Sequence, residues 1–207
     1  MTPRRKPRYQ NEPLWLREEL WARGHIEPWE LLQISAWKSA NANLALLSLN
    51  TPAYIVDVTS RVLTSLSSAS QSTSRDLYAD QESWDRLEHL TRQALDIDTG
   101  LRSLHGVRLP VASAVLSILN PELWPIVDVW AIKGTFSPTP PPGRHNEFNF
   151  YWAYVSRLAE LQQQHALQES LHSLDQRLFN DMRLSKEPPF DRVSAPPRLR
   201  PSRKVKC

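Results

Sequence analysis

An all-α fold is predicted by three features of the chain. Apolar residues recur at three- and four-residue spacing along most of its length, as on one face of a helix. Glycine is scarce, at five in 207 residues, where a barrel, a sandwich or a glycine-rich nucleotide loop would need more. Many of the 17 prolines fall outside the periodic segments, so they separate helices instead of breaking them. Apolar residues make up 41% of the chain, enough for a packed core. The expected architecture is two helical lobes flanking a cleft, within one domain over 11–183.

The elements follow in order. Asn11 and Pro13 signal a helix over Leu14–Arg23 that ends at Gly24. Pro28 opens a second helix to about Lys38, with Leu31, Ile34 and Trp37 toward one face. Asn43–Leu49 is short and apolar. Asn50 or Thr51 caps a helix begun by Pro52, whose stripe is Ile55, Val58, Val62 and Leu66. The β-branched stretch Tyr54–Val58 shares that register and so reads as helix. Six serines between Ser65 and Ser74 predict a flexible loop. A helix through Trp84, Leu87, Thr91 and Ala94 runs to about Asp96. Residues 99–119 read as a short helix, a tight turn and a second helix, the latter striped by Val111, Ala114, Val115, Ile118 and Leu119. A loop over Asn120–Val127 follows. Asp128 starts a helix that stops at Gly134, and 135–146 is a proline-rich loop. Phe148–Leu161 and Leu167–Met182 complete roughly nine helices.

Charge is unevenly distributed. Residues 1–10 carry four basic residues and no acid, and residues 184–207 carry seven basic against two acidic. The tails therefore sum to +9 and the remaining 173 residues to −6, although the whole chain shows only +3. Basic blocks at the termini predict disordered arms and an anionic partner. The single cysteine, Cys207, excludes an internal disulfide framework and a thiolate metal site. The six histidines show no metal-binding spacing, so neither a metal nor another cofactor is expected. No apolar run is long enough for a membrane span, and no apolar segment follows the basic N-terminus as in a signal peptide. A cytoplasmic monomer is expected.

The segment most informative about chemistry is Leu104-His105-Gly106-Val107-Arg108-Leu109-Pro110-Val111-Ala112. Gly106 allows a positive φ in the turn between two helices. Pro110 sits at the start of the second helix, where its missing N–H does no harm. The N–H groups at such a start can face a phosphate, and Ala112 is small enough for close helix approach.

These residues resemble the helix-hairpin-helix of the DNA glycosylase superfamily, whose pattern is Leu-x-Gly-Val-Gly-x-x-x-Ala. Gly106, Val107 and Ala112 match, and Arg108 replaces the second glycine. Trp124-Pro125-Ile126-Val127-Asp128 is similar to the loop that carries the superfamily's aspartate to a helix start, 22 residues after Gly106. With Trp37-Lys38, Thr59-Ser60-Arg61, Tyr151, Tyr154 and Leu171–Leu178, the likeness to small bacterial glycosylase-like proteins covers about 26–182.

The resemblance implies a double-stranded DNA partner bound in the cleft, a flipped-out base, and hydrolysis of its N-glycosidic bond. Asp128 would stabilise the oxocarbenium-like transition state and orient or deprotonate the water. As a purely structural alternative, Asp128 is only a helix N-cap. His105, Gly106, Val107, Arg108, Arg102 and Lys133 are the expected DNA contacts. Trp37, Trp130 and Tyr154 are expected to wall the base pocket, with Lys38 as a polar contact. The position that carries a nucleophilic lysine in strand-cleaving members is Pro110 here, and neither Lys38 nor Lys133 matches it. A monofunctional enzyme that leaves an abasic site is therefore expected. Its base would be a damaged one, or a modified base of invading phage DNA. Two alternatives stand beside it: a noncatalytic hairpin module that binds DNA, and a helical interaction protein with no nucleic-acid role.

Overall fold

The computed structural model describes residues 12–39, 43–136 and 147–184. Among these the chain is all-helical, with ten α-helices and no strand. The basic arm over 1–10, the proline-rich stretch from 137 to 146 and the tail beyond Leu184 lie outside the described residues.

Local chemistry sets the first helices. Helix α1 (Leu16–Arg23) ends at Gly24, whose φ is +77° and whose N–H returns to the Leu20 carbonyl. Helix α2 (Pro28–Lys38) starts with proline in its first turn and a reciprocal capping box between Glu27 and Glu30. Arg23 at the end of α1 pairs with the same buried Glu30, which joins α1 to α2. Helix α3 (Asn43–Leu49) precedes α4 (Pro52–Leu66), which is capped by Thr51 Oγ1 accepting from the Tyr54 N–H at 3.2 Å. The stripe Ile55, Val58, Val62 and Leu66 is buried as its spacing requires.

The serine-rich stretch is not an unstructured loop. It holds the end of α4, a 3-10 turn over Ser67–Ala69, and a short helix α5 (Ser74–Tyr78). Partners far away in sequence impose this order. The Asn120 side-chain amide donates to the carbonyls of Ala69 and Ser72, both at 2.9 Å. Ser74 Oγ donates to Gln162 Oε1 at 2.8 Å inside the protein. Serine composition reports local solubility and is silent about such distant partners.

Helix α6 (Gln81–Ala94) leads to the segment read as a hairpin. Its first limb is only a 3-10 turn, Leu101–Ser103, and its second is helix α7 (Leu109–Leu119). Every α7 residue except Pro110 is buried. A helix that is apolar all round belongs at the centre of the core, and α1 and α2 pack against it.

Helix α8 (Val129–Phe136) runs through Gly134 instead of stopping there. A Cβ on Gly134 would lie 2.8 Å from Met182 Cγ and 3.4 Å from the Leu178 carbonyl oxygen. The glycine thus serves close approach to α10 (Leu171–Leu184), the main packing partner of α8.

Helix α9 (Phe148–Gln164) extends past Leu161. It closes with Ala166 at φ +50°, the Leu167 N–H bonded to the Gln162 carbonyl and the Ala166 N–H to that of Gln163. This is a Schellman closure without its usual glycine, so α10 begins at Leu171 and not at Leu167. All ten helices contribute to or pack on one apolar core, in which Trp124, Tyr151, Tyr154 and Phe150 are the largest fully buried side chains. No helix among the described residues is long and apolar enough to cross a membrane.

The α8–α10 contact gives a stability prediction. Gly134→Val should cost about 1–3 kcal/mol, because its branches meet the backbone of α10. Urea unfolding measures this, and an unchanged midpoint would show that the two helices can separate without loss.

Candidate active site

The loop after α7 is irregular backbone inside the core, and residues 123–128 are all buried. Each residue from 124 to 128 is held by a buried or helix-borne group. Trp124 Nε1 donates to Thr91 Oγ1 on α6 at 3.0 Å. The Pro125 carbonyl accepts from the Tyr151 hydroxyl on α9 at 3.1 Å. The Ile126 N–H donates to Asp175 Oδ2 on α10 at 3.2 Å. The Val127 N–H donates to Ser113 Oγ on α7 at 3.0 Å. Asp128 then accepts from the Trp130 N–H at 3.0 Å through Oδ1, which caps α8.

Lys38, from the last turn of α2, donates to the other oxygen of Asp128, with Nζ 3.4 Å from Oδ2. Both side chains are nearly sealed from solvent, at 5% and 3% exposure. Asp175 lies close enough to feel the Lys38 charge, and it also accepts a short hydrogen bond from the Tyr154 hydroxyl. One lysine and two carboxylates therefore share a buried polar cluster in which a phenol is hydrogen-bonded to one of the acids.

Burial pushes the Asp175 carboxyl up to about 6, against the opposing pull of Tyr154, His172, Lys38 and the Ile126 N–H. Burial, with Asp175 beside it, also raises the Tyr151 phenol well above its ordinary range, so it stays protonated as the donor to Pro125. Asp175 sits among Leu171, Leu174 and Leu178 on the apolar face of α10. That position is the one sequence signal that could have found it: an acid inside a leucine stripe. Nothing local marks Ser113 or Tyr151, whose partners are peptide groups of the loop.

The turn before α7 is anchored from the opposite side. The His105 N–H donates to Asn50 Oδ1 and the Asn50 amide donates to the His105 carbonyl, both at 2.9 Å. The Tyr54 hydroxyl donates to Ser103 Oγ at 3.2 Å. Gly106 has φ +85°, a conformation that favours glycine. His105 and Arg108 are exposed, Val107 is buried and Arg102 is half-buried. Burial lowers the Arg102 guanidinium from its ordinary value, and nearby Asp96 works against that. Arg108 stands at the N-cap of α7 and makes no side-chain cap of its own.

The expected pocket residues are divided by depth. Trp130 is at the surface, and the exposed Lys133 ammonium lies 4.8 Å from its ring centre. Trp37 is half-buried against the core. Tyr154 is fully buried, with its ring toward Phe136 and its hydroxyl committed to Asp175, so it supports the site from beneath. Two surface cavities among the described residues lie elsewhere, one among Ser72, Leu77 and Arg86, the other among Arg17, Trp21 and Gln71.

A second buried chain, Ser117–His172–Glu12, runs nearby at 3.0 and 2.9 Å. Ser117 is sealed within α7, so the trio fastens α7, α10 and the start of the described chain without offering a nucleophile. No group of three or more potential metal ligands occurs among the described residues. No family model, curated protein or solved structure matches this chain. The functional reading therefore rests on the chemistry of the site.

The raised Asp175 carboxyl has a stability consequence. Between about pH 4 and pH 6 the folded protein binds this proton more tightly than the unfolded chain, so stability falls as pH rises across that window. Asp175→Asn removes the effect. The stability advantage of wild type over the variant should shrink by on the order of 2–3 kcal/mol from pH 4 to pH 6.5. Chemical unfolding at stepped pH reads the difference, and parallel curves would mean that Asp175 titrates like an exposed carboxyl.

Proposed function

We propose that this protein is a DNA glycosylase that hydrolyses the N-glycosidic bond of a damaged or modified base in double-stranded DNA. The observation that carries this reading is the preorganisation of Asp128. Four consecutive residues of an irregular loop are pinned to four helices, and the fifth, Asp128, is a carboxylate fixed at the start of α8. A helix cap alone needs a single side-chain acceptor. Fixing a charge to this degree suits a transition state whose own charge develops beside it.

In this reading the turn through Gly106 and the start of α7 lie against the phosphate backbone. Arg108 and His105 are exposed there, and Lys133 is exposed beside Trp130. The exposed Trp130 indole offers a flat face to an extruded base. As the C1′–N bond breaks, positive charge grows on the sugar, and the Asp128 carboxylate stabilises it and accepts a proton from the attacking water. The base leaves with the bonding electrons and is protonated. Asp128 is only 4% exposed, so a flipped nucleotide reaches it by displacing the groups that now cover it.

That burial favours one competing reading, a noncatalytic DNA-binding module. Both Asp128 oxygens are already engaged, and neither of the two surface cavities reaches it. Abasic-site release from a panel of duplexes separates the two readings. The panel should include normal, oxidised, alkylated, deaminated and phage-type modified DNA. The enzyme reading expects release from at least one duplex and a loss of at least about 100-fold in Asp128→Asn, with DNA binding retained. Salt-dependent binding with no release from any duplex would leave the binding module.

A further inference from the structure

We propose that α3 and the start of α4 form a self-association surface, on which a second copy of this chain docks as a two-fold dimer. The inference is independent of the role of Asp128.

Charge is absent from this part of the chain. Between Lys38 and Asp57 lie 18 residues without one Asp, Glu, Lys, Arg or His, the longest such run in a chain that is 23% charged. A shorter uncharged run through α7 is explained by burial, since only Pro110 of that helix is not buried. The run over α3 is largely at the surface instead. Of the four leucines of α3 only Leu46 is buried, and Leu44, Leu47 and Leu49 are 78%, 58% and 60% exposed. The exposed strip continues through Thr51, Pro52 and Ala53 to Tyr54. A single exposed leucine is ordinary, but three close together with no charge among them mark an interaction surface.

The patch is held firmly. A helix of seven residues has little stability of its own. Leu46 anchors it in the core, and the Asn50 amide donates to the Leu46 carbonyl at 2.9 Å while Asn50 also pairs with both backbone groups of His105. Thr51 then caps α4. The leucines are therefore presented on fixed backbone, which lowers the ordering cost of docking.

Charge decides which partner fits. In a two-fold contact a patch meets its own copy, so any net charge on it faces a like charge. A patch with none is complementary to itself. The chain's own tails are poor occupants, because they carry 11 basic residues and the patch has no acid to answer them. A lipid surface fits poorly too, since helices that lie in a membrane interface carry Lys or Arg on their polar face and α3 carries neither. The three leucines expose an area in the range of a monomer's largest apolar patch, about 300–600 Å². Two such faces, with the start of α4 added, bury about 1,000 Å² in all, the lower end for a specific interface. A dimer that dissociates in the micromolar range is expected.

Sedimentation equilibrium of the full-length chain from about 1 to about 200 μM tests this. The weight-average mass should rise from 23.9 kDa toward twice that value and no further. The double variant Leu44→Glu with Leu47→Glu should weaken the dimer at least about 100-fold, as should Leu44→Lys with Leu47→Lys. A mixture of the two variants should associate again, because opposite charges then meet across the two-fold. Neither leucine enters the core, and circular dichroism with urea midpoints matching wild type establishes that the variants are folded. A mass that stays at one chain at every concentration would overturn the proposal. So would association that the glutamate pair leaves unchanged, or that dissolves in about 1 M NaCl, which assigns it to the basic tails. Flotation of a monomeric wild type with phosphatidylserine vesicles, lost in the glutamate pair, would replace the second copy with a lipid surface.

Discussion

Irregular backbone inside an apolar core must find a partner for each peptide polar group, because an orphaned one costs about as much as a lost hydrogen bond. The passage from Trp124 to Asp128 meets that demand at Pro125, Ile126 and Val127 with side chains from α9, α10 and α7. Much else in the molecule follows from it. Tyr151 and Asp175 must be buried because the groups they serve are buried. Helix α7 must be central because Ser113 has to reach the Val127 N–H while its own hydroxyl donates to Pro110. Helix α8 must begin at Val129 because the loop ends with a capping carboxylate. The close approach at Gly134 then holds α8 against α10.

The polar cluster beneath Asp128 works against itself in an informative way. Asp175 is used as a hydrogen-bond acceptor, for which its ionised form is the better one, but burial raises the cost of that charge. Tyr154, His172 and Lys38 all act to restore the charge, and the balance falls at about 6, above the usual carboxylate range. A cluster of this kind is a poor device for stability alone, since an apolar filling carries no such conflict. It is well suited to holding a lysine and two acids in fixed relation within a medium of low dielectric, where each charge acts strongly on the next.

The legibility of the chain in its sequence divides along the same line. The helix signals are local, and they read correctly: Pro28 and Lys38 bound α2, Gly24 closes α1, and Thr51 caps α4. Asp128 at a helix start was legible for the same reason. Most of the failures involve groups far apart in sequence. Gly134 reads locally as a stop, but its absent side chain answers to Met182 and Leu178. The serine-rich stretch reads as a flexible loop, but Asn120 and Gln162 order it. Ala166 adopts the left-handed closure that usually advertises itself with glycine, so the end of α9 carries no mark. The pairing of Lys38 with Asp128 belongs to this second class, since no spacing rule links residues on helices so remote.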